Sequence, residues 1–192
     1  MSNNSSNKLI IITAPSGAGK TSIAKFLLKR FPEVRFSVSA TTRKPREGEE
    51  DGKDYFFISR KEFDEKIEKN EFLEWEEFYG EYRYGTLRSE VDKLIESGYF
   101  PLLDIEVKGA LNVKGMYGSD CVSIFIQPPS LEELKKRLTN RGTENDESLA
   151  TRLERAEKEI TYAKQFDFVV TNNDLETACK QVETIVGSFI NE

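Results

Sequence analysis

Apolar positions along this chain fall into two rhythms, and their alternation lays out an architecture before any motif is considered. Leu9, Ile10, Ile11 and Ile12 are apolar in succession, as a parallel strand covered on both faces should be. They predict a first strand over residues 9–13. The period then changes. Ile23, Phe26, Leu27 and Phe31 recur at helical spacing, predicting a helix over 21–30 that Pro32 ends. A weak alternation at 34–38 suggests a short strand, and Tyr55, Phe56, Phe57 and Ile58 another. Ser59 and Glu62 form a capping box for a helix through Lys69, with Phe63 and Ile67 inward. Residues 72–78 alternate. Phe72, Glu74, Glu76 and Phe78 should face one way and Leu73, Trp75 and Glu77 the other, with Leu73 and Trp75 on a packed side. Residues 79–85 read as a tight hairpin region.

Helix and strand then alternate again. A helix over 89–97 is stopped by Gly98, and a buried strand over 100–105 carries Asp104 at its end with Glu106 just beyond. A short helix over 108–114 and a buried strand over 121–126 follow. Ser130 and Glu133 form a second capping box opening a helix to Leu138, and a long charged helix covers 147–165. The last strand is 168–171. Asp174 caps a closing helix with Leu175, Ala178, Val182, Ile185, Val186 and Phe189 inward. The sum is an α/β protein, a doubly wound parallel sheet interrupted by an aromatic, β-rich inserted subdomain.

Charge narrows the choice of partners. The 192 residues carry a formal net charge of −6, which leaves no basic surplus to grip nucleic acid and would be repelled by an anionic membrane surface. Any phosphate site in such a chain must concentrate its cations locally. Histidine is absent, which excludes histidine-based triads and metal sites. Cys121 and Cys179 are too few and too scattered for a disulfide framework. The polar residues 1–7 read as a frayed, disordered tail rather than a signal peptide, and no apolar run approaches a membrane span. The expected compartment is the cytoplasm.

The chemistry begins at Ala14-Pro15-Ser16-Gly17-Ala18-Gly19-Lys20-Thr21, between the first strand and the first helix. That context turns the phosphate-loop pattern into a mechanism, with Ala14 standing where the strict pattern has its first glycine. Backbone amides turned inward at Gly17 and Gly19 would cradle phosphate, Lys20 would reach the β- and γ-phosphates, and the Thr21 hydroxyl would hold Mg²⁺. Asp104 ends an apolar strand, where the second acidic residue of phosphate-loop enzymes holds Mg²⁺ directly or through water. Arg43, Lys44 and Arg46 form the first basic cluster. Arg137, Arg141 and Arg152 bracket the polar segment 139–147. They read either as groups that close over a transferred phosphoryl group or as a solvated helix face.

Further stretches carry a resemblance. These are Ser39-Ala-Thr-Thr-Arg-Lys-Pro-Arg-Glu-Gly-Glu49 with Gly52-Lys-Asp-Tyr-Phe-Phe57, Glu71-Phe-Leu-Glu-Trp75, Tyr84-Gly-Thr86, Leu103-Asp-Ile-Glu106 and Arg137-Leu-x-x-Arg-Gly142. Together with the phosphate loop, and in the same order, they resemble the guanylate kinases across residues 8–189. The resemblance implies a domain over 8–189: a P-loop core (8–38, 89–138 and 161–192), a mixed α/β GMP-binding insertion (39–88) and a small helical lid (139–160). It implies transfer of the γ-phosphoryl of ATP to GMP, and to dGMP, in guanine nucleotide metabolism and GMP recycling. It implies a requirement for ATP and Mg²⁺, and the expected state is a monomer or small homo-oligomer. Arg43, Arg46, Tyr55 and Tyr84 match the GMP-phosphate ligands, and Ser39, Glu74 and Thr86 the guanine readers. Lys20, Thr21 and Asp104 match the ATP·Mg²⁺ site, and Arg137, Arg141 and Arg152 the lid and phosphate-clamping arginines. Asn172 lies where the family approaches adenine. Glu106 stands where the family commonly has aspartate, at a position of guanine or ribose contact, and Lys108 where it commonly has glutamine. Two other readings compete: a scaffold of the same fold that binds peptides without turnover, and a phosphate-loop kinase or switch with another acceptor. The intact Gly17, Gly19, Lys20 and Thr21 argue against the first, and the set Arg43, Arg46, Glu74 and Thr86 against the second.

Overall fold

Strand β1 (Leu9–Thr13) runs through the middle of the molecule in the computed structural model, which describes residues 8–78, 80–140 and 146–192. All five of its residues are buried, because both of its faces are covered. Ile10 and Ile12 point into a cluster with α1 (Lys20–Arg30) and α7 (Leu175–Asn191). Leu9 and Ile11 point the other way, into a cluster with α3 (Arg88–Glu96) and α4 (Val107–Tyr117). Around β1 the strands β2 (Val34–Phe36), β7 (Phe100–Asp104), β8 (Cys121–Gln127) and β9 (Phe168–Thr171) complete a parallel sheet in the order β2-β7-β1-β8-β9. The order reverses at β1, so the carboxyl ends of β1 and β7 open a crevice of the kind in which such sheets bind ligands.

The segment between β2 and α3 builds a second sheet. Strands β3 (Ala40–Thr41), β4 (Phe56–Phe57), β5 (Phe72–Phe78) and β6 (Tyr82–Leu87) lie in the order β4-β3-β6-β5, mixed parallel and antiparallel. Helix α2 (Arg60–Glu68) covers one face, with fully buried Phe63 stacked on Phe72 at 4.4 Å. The remaining helices, α5 (Leu131–Thr139) and α6 (Asp146–Ile160), pack on each other through Leu134, Leu138 and Ala156.

Local signals act where the sequence puts them. Ser59, Ser130 and Asp174 each accept a backbone N–H three residues on, at 3.1, 3.1 and 2.8 Å. Gly98, at φ +79°, closes α3 as a Schellman turn: its N–H bonds the Ile95 carbonyl and that of Tyr99 the Leu94 carbonyl, both at 2.9 Å. Three expectations need correction. The alternation in β5 breaks, because the pairing with β6 shifts between Phe72 and Glu74 and leaves Leu73 as an extra, bulged residue. Phe72 therefore shares the α2 side with Trp75, while Leu73 enters the core. Trp75 is 44% exposed rather than packed. Leu175, placed inward by its spacing, is 45% exposed: periodicity says which way a side chain points, not whether anything stands opposite.

The stacked Phe63 is the keystone of the small sheet. Phe63→Ala is expected to lower the unfolding free energy by about 3–5 kcal/mol, read by urea denaturation. A loss below about 1 kcal/mol would show that the second sheet holds without it.

Candidate active site

The turn after β1 is held in shape from outside. Gly17 and Gly19 sit at φ +90° and +101°, a region that side chains disfavour. Space forbids a side chain there too. A Cβ at Gly19 would lie 2.2 Å from Asn172 Nδ2, and one at Gly17 would lie 2.9 and 3.0 Å from Leu138 Cδ2 and Leu134 Cδ1. Asn172 is buried and donates from Nδ2 to the Ala18 carbonyl at 2.7 Å. Its side chain therefore braces the loop. Helix α1 starts at Lys20, so its free N–H groups and positive dipole end border a hollow of about 210 Å³ lined by Ala14, Pro15, Ser16, Gly17, Gly19, Lys20, Thr21, Ser22 and Glu106. Lys20 Nζ meets Asp104 Oδ1 at 2.6 Å. Burial alone would lower the Lys20 pKa, but Asp104, Glu106 and Glu159 outweigh it and hold the ammonium charged.

A larger cleft, about 540 Å³, joins this loop to the second sheet. One wall carries Ser16, Lys20, Thr21, Asp104 and Glu106, and the other Ser39, Arg43, Arg46, Tyr55, Glu74, Glu76 and Tyr84. Arg43 is held rigidly. Its two terminal nitrogens fork onto the Glu49 carboxylate at 2.6 Å each, Nε donates to the Tyr84 hydroxyl at 3.1 Å, and the guanidinium lies over the Tyr55 ring. The bond from Arg43, and a further one from the Arg46 amide at 2.7 Å, pull the Glu49 carboxyl down to about 2. The sequence reading did not single out Glu49. Its signal is an acid three residues beyond Arg46 across the turn at Gly48.

Glu74 lines the same cleft. Its Oε1 accepts from the Thr86 N–H at 3.1 Å and from Thr86 Oγ1 at 2.6 Å. Thr86 is fully buried and does not line the cleft; it acts by holding Glu74. Burial pushes the Glu74 carboxyl up to about 6, against the Thr86 bonds that lower it, and the nearby carboxylates Glu76 and Glu106 add to the rise. Glu106 also accepts from Arg155 Nη2 at 2.9 Å, and Glu76 meets the same nitrogen at 3.5 Å. Arg155 Nε bonds Glu159 at 2.7 Å. One guanidinium thus ties α6, the end of β7 and the second sheet together. The sequence reading passed over Arg155, whose only sequence signal is the i,i+4 pair with Glu159. Two of the three arginines it did single out lie elsewhere. Arg137 bonds Glu133 and the Asn172 carbonyl, half-buried Arg152 does not line the cleft, and Arg141 falls outside the described residues.

Thr21 and Asp104 both face the cleft, and no cluster of three or more acidic or cysteine side chains stands ready for a metal among the described residues. That donor set suits Mg²⁺, which keeps its waters and takes most other ligands from substrate phosphates.

The family model described as guanylate kinase matches residues 6–188. A guanylate kinase of Chlorobium chlorochromatii is 51% identical over 96% of this chain and 97% of its own. One of Bacteroides thetaiotaomicron is 47% identical over 96% and 91%. The crystal structure of a guanylate kinase from Anaplasma phagocytophilum superposes with a TM-score of 0.77 at 32% identity, covering 96% of this chain and 87% of that one.

The raised Glu74 carboxyl makes stability depend on pH in a definite direction. Its pKa is about 6 folded against 4.5 as the ordinary value, so between those values the folded protein binds more protons than the unfolded chain. Stability should fall as pH rises through that window, by about 2 kcal/mol from this group. Glu74→Gln should remove that slope. Denaturation at pH 4, 5, 6 and 7 reads the difference, and identical slopes in the two proteins would refute the burial of a titrating carboxyl there.

Proposed function

The chain belongs to the guanylate kinase family, phosphotransferases that phosphorylate GMP with ATP, and from that membership we propose how its residues divide the work. The observation that carries the reading is the single cleft, with a helix N-terminus and Lys20 on one wall and a forked arginine, two tyrosines and a buried carboxylate on the other. ATP phosphates lie on the amides of residues 14–21, where Lys20 exchanges Asp104 for phosphoryl oxygens. Thr21 and Asp104 would hold Mg²⁺, whose charge offsets that of the phosphates. The GMP phosphate lies against Arg43, Arg46, Tyr55 and Tyr84, with Glu49 keeping the Arg43 fork in a fixed plane. Phosphoryl transfer asks mainly for alignment and charge stabilisation, and rigidly held cations supply both without reorganising.

Glu74 reads the base, with Ser39 beside it. Ionised at pH 7, the carboxylate only accepts hydrogen bonds. Guanine offers N1–H and the 2-amino group on one edge. Adenine has an unprotonated N1 and no 2-amino group, so its lone pair would face the carboxylate. The groups assigned to base and phosphate, Glu74, Ser39, Arg43, Arg46, Tyr55 and Tyr84, leave the 2′-hydroxyl unread, so dGMP is a substrate as well. Core 8–38, 89–138 and 161–192, GMP-binding insertion 39–88 and lid 139–160 are the functional parts. Arg155 with Glu106 and Glu76 holds the lid helix to the other two, and Arg137, Arg141 and Arg152 approach the phosphates on closure. All these groups come from one chain, so a monomer suffices. The setting is cytoplasmic guanine nucleotide metabolism, including recycling of GMP. Two buried free cysteines fit a reducing compartment, and no described helix is long and apolar enough to cross a membrane.

A coupled assay of ADP release with GMP, dGMP, AMP, CMP and UMP tests the assignment. Turnover is expected with GMP and dGMP alone. Lys20→Met should lower kcat by about 10²–10³-fold or more with the fold intact by circular dichroism, and near-normal turnover would remove Lys20 from the transfer site. Arg43→Ala should weaken GMP about tenfold or more, as loss of a charge-assisted contact does, and leave ATP binding intact. Titrations in which ATP weakened instead would assign Arg43 to the donor.

A further inference from the structure

Gly109 is the third residue of α4, in its first turn, where glycine is still a poorer helix former than alanine. Its φ is not positive, so the backbone does not require it. Space does. A Cβ built there would lie 2.4 Å from Glu74 Oε2, 3.0 Å from Cδ and 3.1 Å from Cγ. The end of the Glu74 side chain therefore occupies the place that a methyl group would take. Gly115, in the same helix, has nothing within 4 Å of its own hypothetical Cβ. The two glycines of α4 thus differ in what a methyl would displace.

We propose that Gly109 is a positioning residue for base selection: its missing side chain seats the Glu74 carboxylate, and with it the preference for a 2-amino-6-oxopurine. The inference rests on the reading of Glu74 as the group that meets the base. Glu74 borders the cleft but is tethered there. Its Oε1 is held twice by Thr86, which is itself fully buried. The strand is pinned on either side by buried Leu73 and by the Glu74–Thr86 pairing. A methyl at 109 must therefore rotate the carboxylate off its seat and turn Oε2 away from the first turn of α4. That turn carries no acidic residue of its own, and its cap, Glu106, makes no side-chain capping bond. The Glu74 carboxylate therefore brings negative charge beside this helix end from another element.

The substitution Gly109→Ala is expected to raise the KM for GMP by about 10²-fold, the scale on which small misplacements act, with the KM for ATP unchanged. Discrimination between GMP and IMP, which lacks only the 2-amino group, should shrink about tenfold or more, the scale on which such sites reject analogues. A merely structural role would not move that ratio. Gly115→Ala should leave both constants as they are. Shortening the acid makes room for the methyl, so Gly109→Ala/Glu74→Asp should match Glu74→Asp alone in its KM for GMP, and the effects of the single substitutions should not add. That pair of variants also serves if Gly109→Ala alone proves too unstable to assay; a further tenfold loss in the double variant overturns the proposal. So does a Gly109→Ala enzyme with an unchanged KM for GMP and an unchanged GMP-to-IMP ratio. Glu74→Gln separates the two layers. If it keeps full GMP use and selectivity, the base is read elsewhere and the inference falls with that reading. If it loses GMP and Gly109→Ala does not, only the role of Gly109 fails.

Discussion

The contact of β5 with α4 sets the distance across which the two halves of the cleft work. One element belongs to the second sheet and the other to the crevice of the parallel sheet. They meet through Leu73, Val107 and Ala110 in one buried cluster. That apolar seam is non-directional and could by itself tolerate sliding. The bulge at Leu73 removes the freedom. It sends Leu73 into the core and leaves Glu74 facing the cleft beside it, so the same two residues both dock the sheet and arm the site. Close packing makes such an arrangement discrete rather than adjustable.

Electrostatics complete what packing begins. An acidic protein that handles anions must keep cations in a partly buried cleft, and an unpaired buried charge is costly. Three cations in and beside the cleft are held by carboxylates: Lys20 by Asp104, Arg43 by Glu49, and Arg155 by Glu106, Glu76 and Glu159. The pairs differ in geometry, and the difference matters. The Arg43 fork uses both of its terminal nitrogens on Glu49, which fixes its plane as well as its position. Lys20 meets Asp104 through a single flexible ammonium, which can exchange one oxyanion for another at little geometric cost. Arg155 spans three elements and acts as a tie between them.

The sequence by itself determined the parallel α/β core, the loop chemistry from Ala14 to Thr21, the caps at Ser59, Ser130 and Asp174, and the Schellman turn at Gly98. These depend on residues near one another in the chain, where spacing and backbone preference already state the physics. It also marked Arg43, Arg46 and Asp104, because charges at strand ends and in a basic cluster stand out against an acidic chain, whereas Glu74 was marked by the resemblance. Only the tertiary structure decided how those residues are held. That Thr86 grips Glu74, that Asn172 braces Ala18, that Glu49 locks Arg43 and that Arg155 bonds Glu106 and Glu76 on the cleft walls are facts of tertiary packing. The bulge at Leu73 is of the same kind: a one-residue slip reverses every facing residue, and it arises from the partner strand, which no local period encodes. Gly109 is the extreme case. Its role is a volume left empty for a side chain on another element, and an empty volume has no signature in a one-dimensional pattern.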